Sequence, residues 1–509
     1  IPGVRPYVRC RHGQVMIKDL FRRKSMDQLA ADLEEPESRL KKVLGPVDVT
    51  ALGVGAIIGA GIFATIGTAA AGDPTRPGAG PALILSFVFT GIACGFAALC
   101  YAEFSAMIPI SGSAYTYAYA TLGELIAWII GWDLIIEYAV GNVAVAISWA
   151  NYFKTLVSGF GITIPDWIST DYRTAARIPG LLQSAPHVFG VPIVFNILAF
   201  GIVAAITVVL VIGIRESATM TTMMVVLKLI VLGFFIAVGW GYMHGANFHP
   251  FMPNGWAGVQ AGAAIVFFAY IGFDAVSTVA EETRNPSRDL PIGIVGSLII
   301  STVIYILVAA VFTGIIPFPV LKQKLATEQA EPLTMALQYA NIGRYANLFV
   351  GIVAFGSVVA HTAVLLVFQL GQPRIFFSMA RDGLLPHSFA KVHPRFRTPH
   401  VTTILTGVAV GVCAMFTSID EMVDLTNIGT LFAFILVCIG IVILRHREPD
   451  RRRTFRVPWS PVLPLLGVAS CIYLMLGLPW ITWVRFALWL VVGMVIYFFY
   501  GFRRSRLRA

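Results

Sequence analysis

Long apolar runs are the feature of this 509-residue sequence that most restricts its fold. Twelve stretches have about the 20 apolar residues that a helix needs to cross a bilayer. Only helices and closed barrels satisfy their backbone groups in lipid, and the alternating ten-residue strands of a barrel are absent. We therefore predict an all-helical protein with twelve transmembrane helices, called segments 1 to 12, with approximate limits 47–71, 81–106, 122–156, 191–213, 218–243, 258–282, 290–316, 345–378, 400–417, 425–446, 461–480 and 484–502.

The composition supports a membrane protein. The chain is 57% hydrophobic and 13% charged, with a mean hydropathy of +0.78, whereas a soluble domain carries about 25% charged residues. The net charge of +10 does not indicate nucleic-acid binding, because the basic residues lie almost entirely in short loops and tails. The six cysteines form no CxxC pair, so we expect buried hydrophobic side chains rather than a disulfide or metal framework.

The distribution of Lys and Arg predicts the orientation in the membrane. Most of the 37 basic residues fall in the tails and in alternate loops, and such loops stay in the cytoplasm. With twelve spans, both termini are then cytoplasmic. Residues 1–45 are polar and contain no signal-peptide core, so we interpret them as a cytoplasmic tail. The expected location is the bacterial plasma membrane.

Segment 1 contains four glycines within a stretch that should otherwise form one continuous helix. It reads Val-Thr-Ala-Leu-Gly-Val-Gly-Ala-Ile-Ile-Gly-Ala-Gly-Ile-Phe over residues 49–63. Each glycine costs about 1 kcal/mol of helix propensity, and unwound backbone is tolerated at membrane depth only where protein or a cavity covers it. We predict that segment 1 breaks at Gly59, Ala60 and Gly61.

Segment 6 is predicted to break as well, in the stretch Val-Phe-Phe-Ala-Tyr-Ile-Gly-Phe-Asp at 266–274. Two interrupted helices at corresponding places in two halves are typical of a transporter substrate site. If segments 1–5 and 6–10 are repeats, the odd number of spans makes the second repeat inverted. The predicted transport core is 46–446, with repeats at about 46–243 and 257–446. Residues 447–509 then hold two accessory helices and a basic cytoplasmic tail.

A broken helix offers two kinds of polar group. The N–H groups that start the second half of segment 1 suit a carboxylate, whereas the carbonyls that end the first half, near Ile57, suit an ammonium. Segment 6 should offer matching carbonyls. Together they describe a site for the backbone of an α-amino acid. The alternative is close helix packing through small residues, as in Gly55-x-x-x-Gly59, and the paired break in segment 6 favours the substrate site.

Several stretches resemble a known family. Gly-Ala-Ile-Ile-Gly-Ala-Gly-Ile-Phe at 55–63 and Phe-Ala-Tyr-Ile-Gly-Phe-Asp-Ala-Val-Ser-Thr-Val-Ala-Glu-Glu at 268–282 look like signatures of the amino acid–polyamine–organocation (APC) superfamily. Ala-Ala-Leu-Cys-Tyr-Ala-Glu-Phe at 97–104, Gly-Trp-Asp-Leu-Ile-Ile-Glu-Tyr at 131–138 and Ser-Met-Ala-Arg-Asp-Gly-Leu-Leu-Pro at 378–386 narrow the resemblance to bacterial relatives of cationic amino acid transporters.

The resemblance implies an inverted five-plus-five helix fold, alternating access and secondary transport of amino acids. It also implies that the substrate carboxylate meets the amides of Ala60 and Gly61. The substrate ammonium would meet four carbonyls, those of Ile57, Phe268, Ala269 and Ile271.

Lys228 lies deep within segment 5. An intramembrane lysine is costly and by default functional, and burial makes it easier for such a group to lose its proton. In the resembled family, a lysine here occupies the place of the ion in sodium-coupled relatives, and its ammonium would bridge segments 1 and 8. We therefore predict proton coupling through Lys228. The alternative is a snorkelling or salt-bridged structural lysine.

Four further residues are candidates for the side-chain pocket or a gate: Glu137, Asp274, Phe368 and Gln369. Glu137 is equally consistent with a hydrogen-bonded structural acid, and Asp274 is expected to fix the unwound backbone of segment 6. His361 is expected to be a hydrogen-bonded part of the scaffold. We expect an interfacial belt of three tyrosines, Tyr115, Tyr117 and Tyr119. We also expect three acids near the cytoplasmic side to pair with arginines: Glu103, Glu281 and Glu282.

Three functions remain open from the sequence. The first is proton-coupled uptake of small neutral or cationic L-amino acids, the second is amino acid exchange, and the third is a non-transporting sensor. No enzyme motif, nucleotide-binding loop or metal-ligand cluster is present in the sequence, so we expect neither an enzyme nor a cofactor. A small accessory membrane peptide would leave no trace in the sequence.

Overall fold

The computed structural model describes residues 20–23, 43–107, 113–213, 218–327, 331–396 and 398–507. Most of the predicted cytoplasmic tail, 1–45, lies outside these residues. Within the described ranges, nine stretches are long and apolar enough to cross a membrane, and three shorter apolar helices coincide with predicted segments 4, 9 and 11. The prediction of a helical polytopic membrane protein is confirmed, whereas the count of twelve spans stays a prediction.

The helices run from one end of the described chain to the other with few interruptions. In chain order, the α-helices are α1 Pro46–Ile57, α2 Ile66–Ala71, α3 Leu83–Met107, α4 Ser113–Thr121, α5 Glu124–Ile135, α6 Gly141–Ser158, α7 Tyr172–Arg177, α8 Leu181–Ser184, α9 Ile197–Ile212, α10 Ala218–Trp240, α11 Gly255–Val266, α12 Pro286–Ile315, α13 Phe318–Thr327, α14 Pro332–Tyr339, α15 Ala346–Arg381, α16 His400–Phe416, α17 Ile419–Arg447, α18 Val462–Met475, α19 Trp480–Ile496 and α20 Phe502–Arg504.

Two short hairpins connect some of these helices. Strands β1 Gly72–Asp73 and β2 Arg76–Pro77 pair antiparallel after α2, and β3 His187–Val188 pairs in the same way with β4 Val191–Pro192 before α9. The first hairpin follows directly on segment 1, so it lies above the outer end of that broken helix.

The packing of the segments follows a regular pattern. Segment 2 (α3) packs along segment 7 (α12), segment 3 (α6) along segment 8 (α15), and segment 4 (α9) along segment 9 (α16). These three segments thus lie against the ones five positions later in the chain, and segments 1 and 6 are in contact as well. This is the arrangement that a pair of inverted five-helix repeats would produce, and it supports the predicted repeat.

The two ends of the helix bundle are easily distinguished. We call the end that carries Leu44 and Arg504 the terminal face, and the other end the distal face. At the terminal face, Glu103 of segment 2 accepts a hydrogen bond of 3.0 Å from Arg445 Nε of segment 10 and one of 2.7 Å from the amide of Val457. The expected pairing of Glu103 with an arginine is therefore confirmed, and it ties the segment 10–11 loop to the bundle.

The expected interfacial tyrosine belt is wrong. Tyr115, Tyr117 and Tyr119 are all buried. Tyr115 donates a 2.8 Å hydrogen bond to Asp382, and Tyr117 stacks on Phe104 with ring centroids 5.2 Å apart. The alternate spacing did not place these rings on a lipid-facing strip, because α4 is a short helix packed inside the bundle.

Candidate functional site

Segment 1 breaks at the predicted position. Helix α1 ends at Ile57, and Ile58 has extended backbone angles, φ −76° and ψ 98°. Helical structure resumes with a π-helical turn at Gly61–Thr65 and continues into α2. The break leaves carbonyls at the end of the first half, α1, and N–H groups at the start of the second half without their usual intrahelical partners.

Segment 6 breaks as well. Helix α11 ends at Val266, a 3₁₀ turn covers Phe267–Tyr270, and Ile271 is extended. Gly272 follows with φ 114°, and a Cβ atom there would lie 2.8 Å from the carbonyl oxygen of Ala56. Only glycine adopts this conformation without strain, so the break and its close approach to segment 1 both depend on this residue.

The two breaks lie against each other. A Cβ atom on Gly61 would come within 2.1 Å of Ala269 Cα, so the backbones of segments 1 and 6 are in direct contact there. Residues at both breaks are buried: Ile57, Gly59, Ala60, Gly61, Phe268, Ala269 and Ile271. The structure therefore brings together the residues that the sequence assigned to backbone recognition.

Tyr305 links the two breaks and was missed from the sequence. Its hydroxyl lies 3.0 Å from the carbonyl oxygen of Ile57 and 2.8 Å from that of Ala269. These are two of the carbonyls predicted to bind the substrate ammonium. A tyrosine in the middle of the apolar segment 7 was the only sequence signal, because a buried tyrosine hydroxyl usually finds a partner.

Lys228 contacts segment 1 at the break. Its side chain is 1% exposed, and its ammonium donates hydrogen bonds to the carbonyl oxygens of Gly55 at 2.6 Å and Ile58 at 3.0 Å. Within the described residues, both of its hydrogen bonds go to segment 1. The predicted bridge therefore reaches segment 1, but no hydrogen bond joins Lys228 to segment 8.

A cavity of about 700 Å³ leads from the terminal face to this site. Gly55, Ala56 and Lys228 lie in its wall near the break. Segment 8 contributes Leu366 and Val367 to the wall. The cavity wall also includes residues near the terminal face, such as Thr398. The cavity therefore connects Lys228, the predicted coupling residue, to the aqueous phase at the terminal face.

A group of buried acids lies beside the break in segment 6. Glu137 sits on a π-helical turn of segment 3, Ile136–Val140, and its carboxyl interacts with that of Asp274. Asp274 also faces the amides of Gly272 and Ala275, in keeping with its expected role in fixing the unwound backbone. Neither acid lines the cavity.

Phe368 and Gln369 support segment 3 instead of lining the cavity. Phe368 packs edge-to-face on Tyr138 with ring centroids 5.6 Å apart, and Gln369 forms hydrogen bonds with Thr207 and with Asn142. Their proposed role beside the substrate side chain stays a prediction.

His361 is part of the scaffold, as expected. Its ring nitrogens lie 2.7 Å from the hydroxyl of Ser148 and 2.6 Å from the carbonyl oxygen of Ser357. These contacts join segment 8 to segment 3. Of the two remaining acids, Glu282 lies in the cavity wall and accepts hydrogen bonds from the amides of Val43 and Leu44 through its carbonyl, whereas the side chain of Glu281 lies outside the described part of the chain.

The distal face is closed by ion pairs above the broken helices. Arg76 of the first hairpin is buried and pairs with Asp73 at 2.8 Å and with Asp424 of segment 10 at 2.8 Å. Burial by itself raises the pKa of Asp73, but Arg76 and the hydrogen bonds from Thr75 outweigh it, so the pKa of Asp73 is lowered. The Arg76–Asp73 pair therefore stays ionised at neutral pH. The contact of Arg76 with Asp424 fastens the hairpin after segment 1 to segment 10.

Within the described ranges, no group of three or more His, Cys, Asp or Glu side chains is arranged to hold a metal ion. The polar groups at the two breaks are instead backbone carbonyls and amides, one lysine and one tyrosine. Such a site suits a small zwitterion that is bound through its backbone.

The broken helices, the central cavity and the buried lysine define a membrane permease. The chain belongs to the amino acid permease family, whose pattern it matches over residues 44–501, and it is a permease of the APC type. It is therefore an integral membrane protein, and its family consists of transporters rather than enzymes.

Three relatives with different names illustrate the similarity. The chain is 46% identical to the branched-chain amino acid permease BcaP of Bacillus subtilis over 96% of this chain and 99% of the relative. It is 42% identical to the methylthioribose transporter of the same organism over 96% and 100%. It is 36% identical to the vacuolar cationic amino acid transporter 4 of Arabidopsis thaliana over 85% and 68%.

Proposed function

We propose that this protein takes up L-amino acids across the plasma membrane by alternating access, coupled to protons through Lys228. The observation that carries the proposal is the direct contact of the two helix breaks at Gly61 and Ala269, next to an open cavity whose wall includes Gly55, Ala56 and Lys228. The excess of Lys and Arg in the tails and alternate loops supports a cytoplasmic terminal face. The cavity then opens inward, and the ion pairs of Arg76 close the external side.

Backbone recognition follows from the two breaks. The amides of Ala60 and Gly61 begin the outer half of segment 1, where the helix dipole favours a carboxylate. The carbonyls of Ile57, Phe268, Ala269 and Ile271 accept the ammonium. Tyr305 shares its single hydroxyl proton between two of these carbonyls, so a substrate ammonium would replace one donor by another instead of leaving buried acceptors unpaired.

Lys228 supplies a way to couple the proton to this cycle. Its charged amine has two carbonyl partners, both on the inner half of segment 1. A neutral amine donates more weakly, so loss of the proton loosens the contact between segments 5 and 1. Because Lys228 lies in the cavity wall, its proton can leave to the same side as the substrate.

The substrate class is best described as neutral and aliphatic. Val364 of segment 8 touches Gly59 at the break, and Leu366 and Val367 follow in the cavity wall. The acids among the described wall residues, Asp48 and Glu282, lie about ten residues from either break along the chain. Glu137 and Asp274 lie beside the break in segment 6 but do not line the cavity, so a cationic side chain in the cavity near the breaks would lack an acid partner in the described wall. The similarity to BcaP favours leucine, isoleucine and valine.

The similarity to the methylthioribose transporter supports a second candidate substrate. Methylthioribose has an apolar thioether that suits the aliphatic wall, but it has neither an ammonium nor a carboxylate. It would leave the donors of segment 1 and the acceptors of segment 6 only partly used. We therefore rank it below the branched-chain amino acids.

Transport by the purified protein in proteoliposomes tests the proposal. We expect uptake of labelled leucine to require a proton gradient that is acidic outside, and to proceed without amino acid inside the vesicles. Competition by the twenty amino acids and by methylthioribose then ranks the substrates. Uptake that needs internal amino acid and ignores the gradient would identify an exchanger, and binding without uptake would identify a sensor.

Lys228→Ala tests the coupling step. We expect the variant to lose gradient-driven uptake, because the proton-carrying group is gone. Lys154→Ala is the matched control, since Lys154 is a partly exposed lysine that pairs with Asp166 on the distal side, and its uptake should keep the pH dependence of the unmodified protein. Robust uptake by Lys228→Ala with an unchanged pH profile would rule out Lys228 as the coupling site.

A further inference from the structure

Helix α14 is a buried wedge on the distal side of the molecule. It lies between segments 7 and 8 in the chain, and its residues from Pro332 to Leu337 are all buried. It packs against segment 8, segment 7 and the π-helical turn of segment 1. A Cβ atom on Gly67, in α2, would lie 2.7 Å from the ring of Pro332. Outward opening of segment 1 therefore requires α14 to move.

Glu331 immediately precedes helix α14 and is only 6% exposed. Its side chain does not cap its own helix. Instead, its carboxyl interacts with Asn151 and Tyr152 of segment 3. Within the described residues, no ion pair joins Glu331 to a cation. A buried carboxyl group without a cation is costly when it is ionised, so burial at this place favours the neutral acid.

Tyr152 connects Glu331 to the broken helix. Its hydroxyl donates a 2.9 Å hydrogen bond to the carbonyl oxygen of Phe63, and its ring lies edge-on to that of Phe63. The ring of His361 lies 5.6 Å away on segment 8. The contact of Glu331 with Tyr152 therefore joins α14 to segments 1, 3 and 8 at one place.

We propose that Glu331 is a protonation site of the outer gate, which takes up a proton when α14 closes over segment 1 and releases it when α14 lifts away. This inference rests on the proposed transport function and on its orientation, with the distal face outside. It assigns a second proton site, separate from Lys228, to the external half of the cycle.

The groups around Glu331 agree with this role. The helical turn Gly61–Thr65, α2 and α14 itself up to Leu337 contribute no charged residue. Segment 3 contributes Tyr152, segment 8 contributes His361 behind Tyr152, and α13 carries Lys322 and Lys324. The groups that act directly on the carboxyl are the amide of Asn151 and the hydroxyl of Tyr152.

The direction of the pH effect follows from burial. Desolvation raises the pKa of Glu331 to about 8, although the hydrogen bonds of Asn151 and Tyr152 act in the opposite sense. A hydrated glutamate has a pKa of about 4.3. Between these two pH values, the closed gate holds one proton more than the open gate. Lowering the pH in this range favours closure, and raising it favours opening, by up to about tenfold per pH unit.

Accessibility of a cysteine below the gate tests the proposal without measuring transport. Thr65→Cys, in an otherwise cysteine-free protein, places a thiol at a buried position of segment 1. We expect its labelling by an impermeant maleimide from outside to accelerate as the external pH rises from 5.5 to 7.5. The rate is divided by that of Ser158→Cys, an exposed position, which removes the intrinsic pH dependence of the reaction.

Glu331→Gln should abolish this pH dependence and keep labelling slow, because glutamine mimics the neutral acid. Asp166→Asn, which alters an exposed carboxylate paired with Lys154, should keep the dependence, and so should Lys228→Ala. An unchanged slope in Glu331→Gln would overturn the proposal.

A second variant covers the case in which Glu331→Gln does not fold. Asn151→Ala removes a hydrogen bond that favours the ionised carboxylate, so the midpoint of the labelling profile should move to higher pH. A midpoint that stays in place would overturn the proposal. Because labelling needs neither substrate nor a gradient, a normal pH slope in a protein that fails to take up leucine would refute only the proposed function.

Discussion

Single residues decide how the two broken helices stay together in the absence of substrate. Lys228 and Tyr305 come from segments 5 and 7, yet both donate to backbone carbonyls at the break in segment 1. Their carbonyl partners differ, so the two side chains have separable roles. Lys228 holds the inner half of segment 1, whereas Tyr305 joins segment 1 to segment 6.

Tyr305→Phe should destabilise the empty protein and enlarge its response to substrate. The change leaves the carbonyls of Ile57 and Ala269 without the hydroxyl, and an unpaired buried polar group costs about 1–3 kcal/mol. A substrate ammonium would restore the missing donor. We expect a lower melting temperature without leucine, and a larger rise on adding leucine than in the unmodified protein.

Thermal unfolding in detergent measures both quantities for this variant. Tyr339→Phe serves as the control, because Tyr339 is 40% exposed and should leave both values unchanged. An equal leucine-induced rise in Tyr305→Phe and the unmodified protein would show that the ammonium does not use these carbonyls.

At the scale of elements, the site is a contact between two interrupted helices. The breaks are compatible only because their backbones approach closely at Gly61 and Gly272. The surrounding helices are continuous, and segments 2, 3 and 4 each pack against the segment five positions later. The interruption is thus confined to the two elements that expose backbone groups to the substrate.

Gly61→Ala should impair leucine binding and lower stability. The added methyl group would lie 2.1 Å from Ala269 Cα, and overpacking of this kind costs about 1–3 kcal/mol. Gly233→Ala is the matched control, because segment 5 has open space at Gly233 and alanine is the better helix former. Equal leucine affinity in the two variants would contradict a direct contact between the breaks.

The ion pair of Arg76 and Asp424 should hold the distal face closed. Arg76→Ala leaves Asp424 buried without its partner, so we expect it to speed labelling of Thr65→Cys from outside. The double variant, Arg76→Ala with Asp424→Ala, removes both charges. Its effect on the logarithm of the labelling rate should be smaller than the sum of the effects of the two single variants. Strict additivity in this cycle would show that the pair is not coupled.

At the scale of the whole molecule, the structure is a transporter that is open at one end. The cavity reaches the terminal face, while ion pairs and the buried α14 cover the distal face. Alternating access requires the reverse arrangement at another point in the cycle. The two halves of segments 1 and 6 are the natural moving parts, since they end at the breaks.

Leu366→Cys tests the side of access directly. Leu366 lines the cavity, so we expect an impermeant maleimide to label it in inside-out vesicles and not in right-side-out vesicles, with added leucine slowing the reaction. Ser378→Cys, nearer the terminal end of segment 8, should label from the same side and respond less to leucine. Labelling of Leu366→Cys only from the opposite side would reverse the proposed orientation.

The sequence by itself determined the helical membrane fold, the positions of both breaks and the presence of a lysine, Lys228, within a membrane segment. These features are local: apolar runs of bilayer length, glycines within them, and one charge where charges are costly. The sequence could not identify the partners of side chains that meet from distant segments. Tyr305, the acid pair of Glu137 and Asp274, and the buried position of Tyr115 all depend on which helix faces lie together. Only the tertiary structure decided these contacts, because a side chain's periodicity fixes its place on its own helix but not the identity of the neighbouring helix.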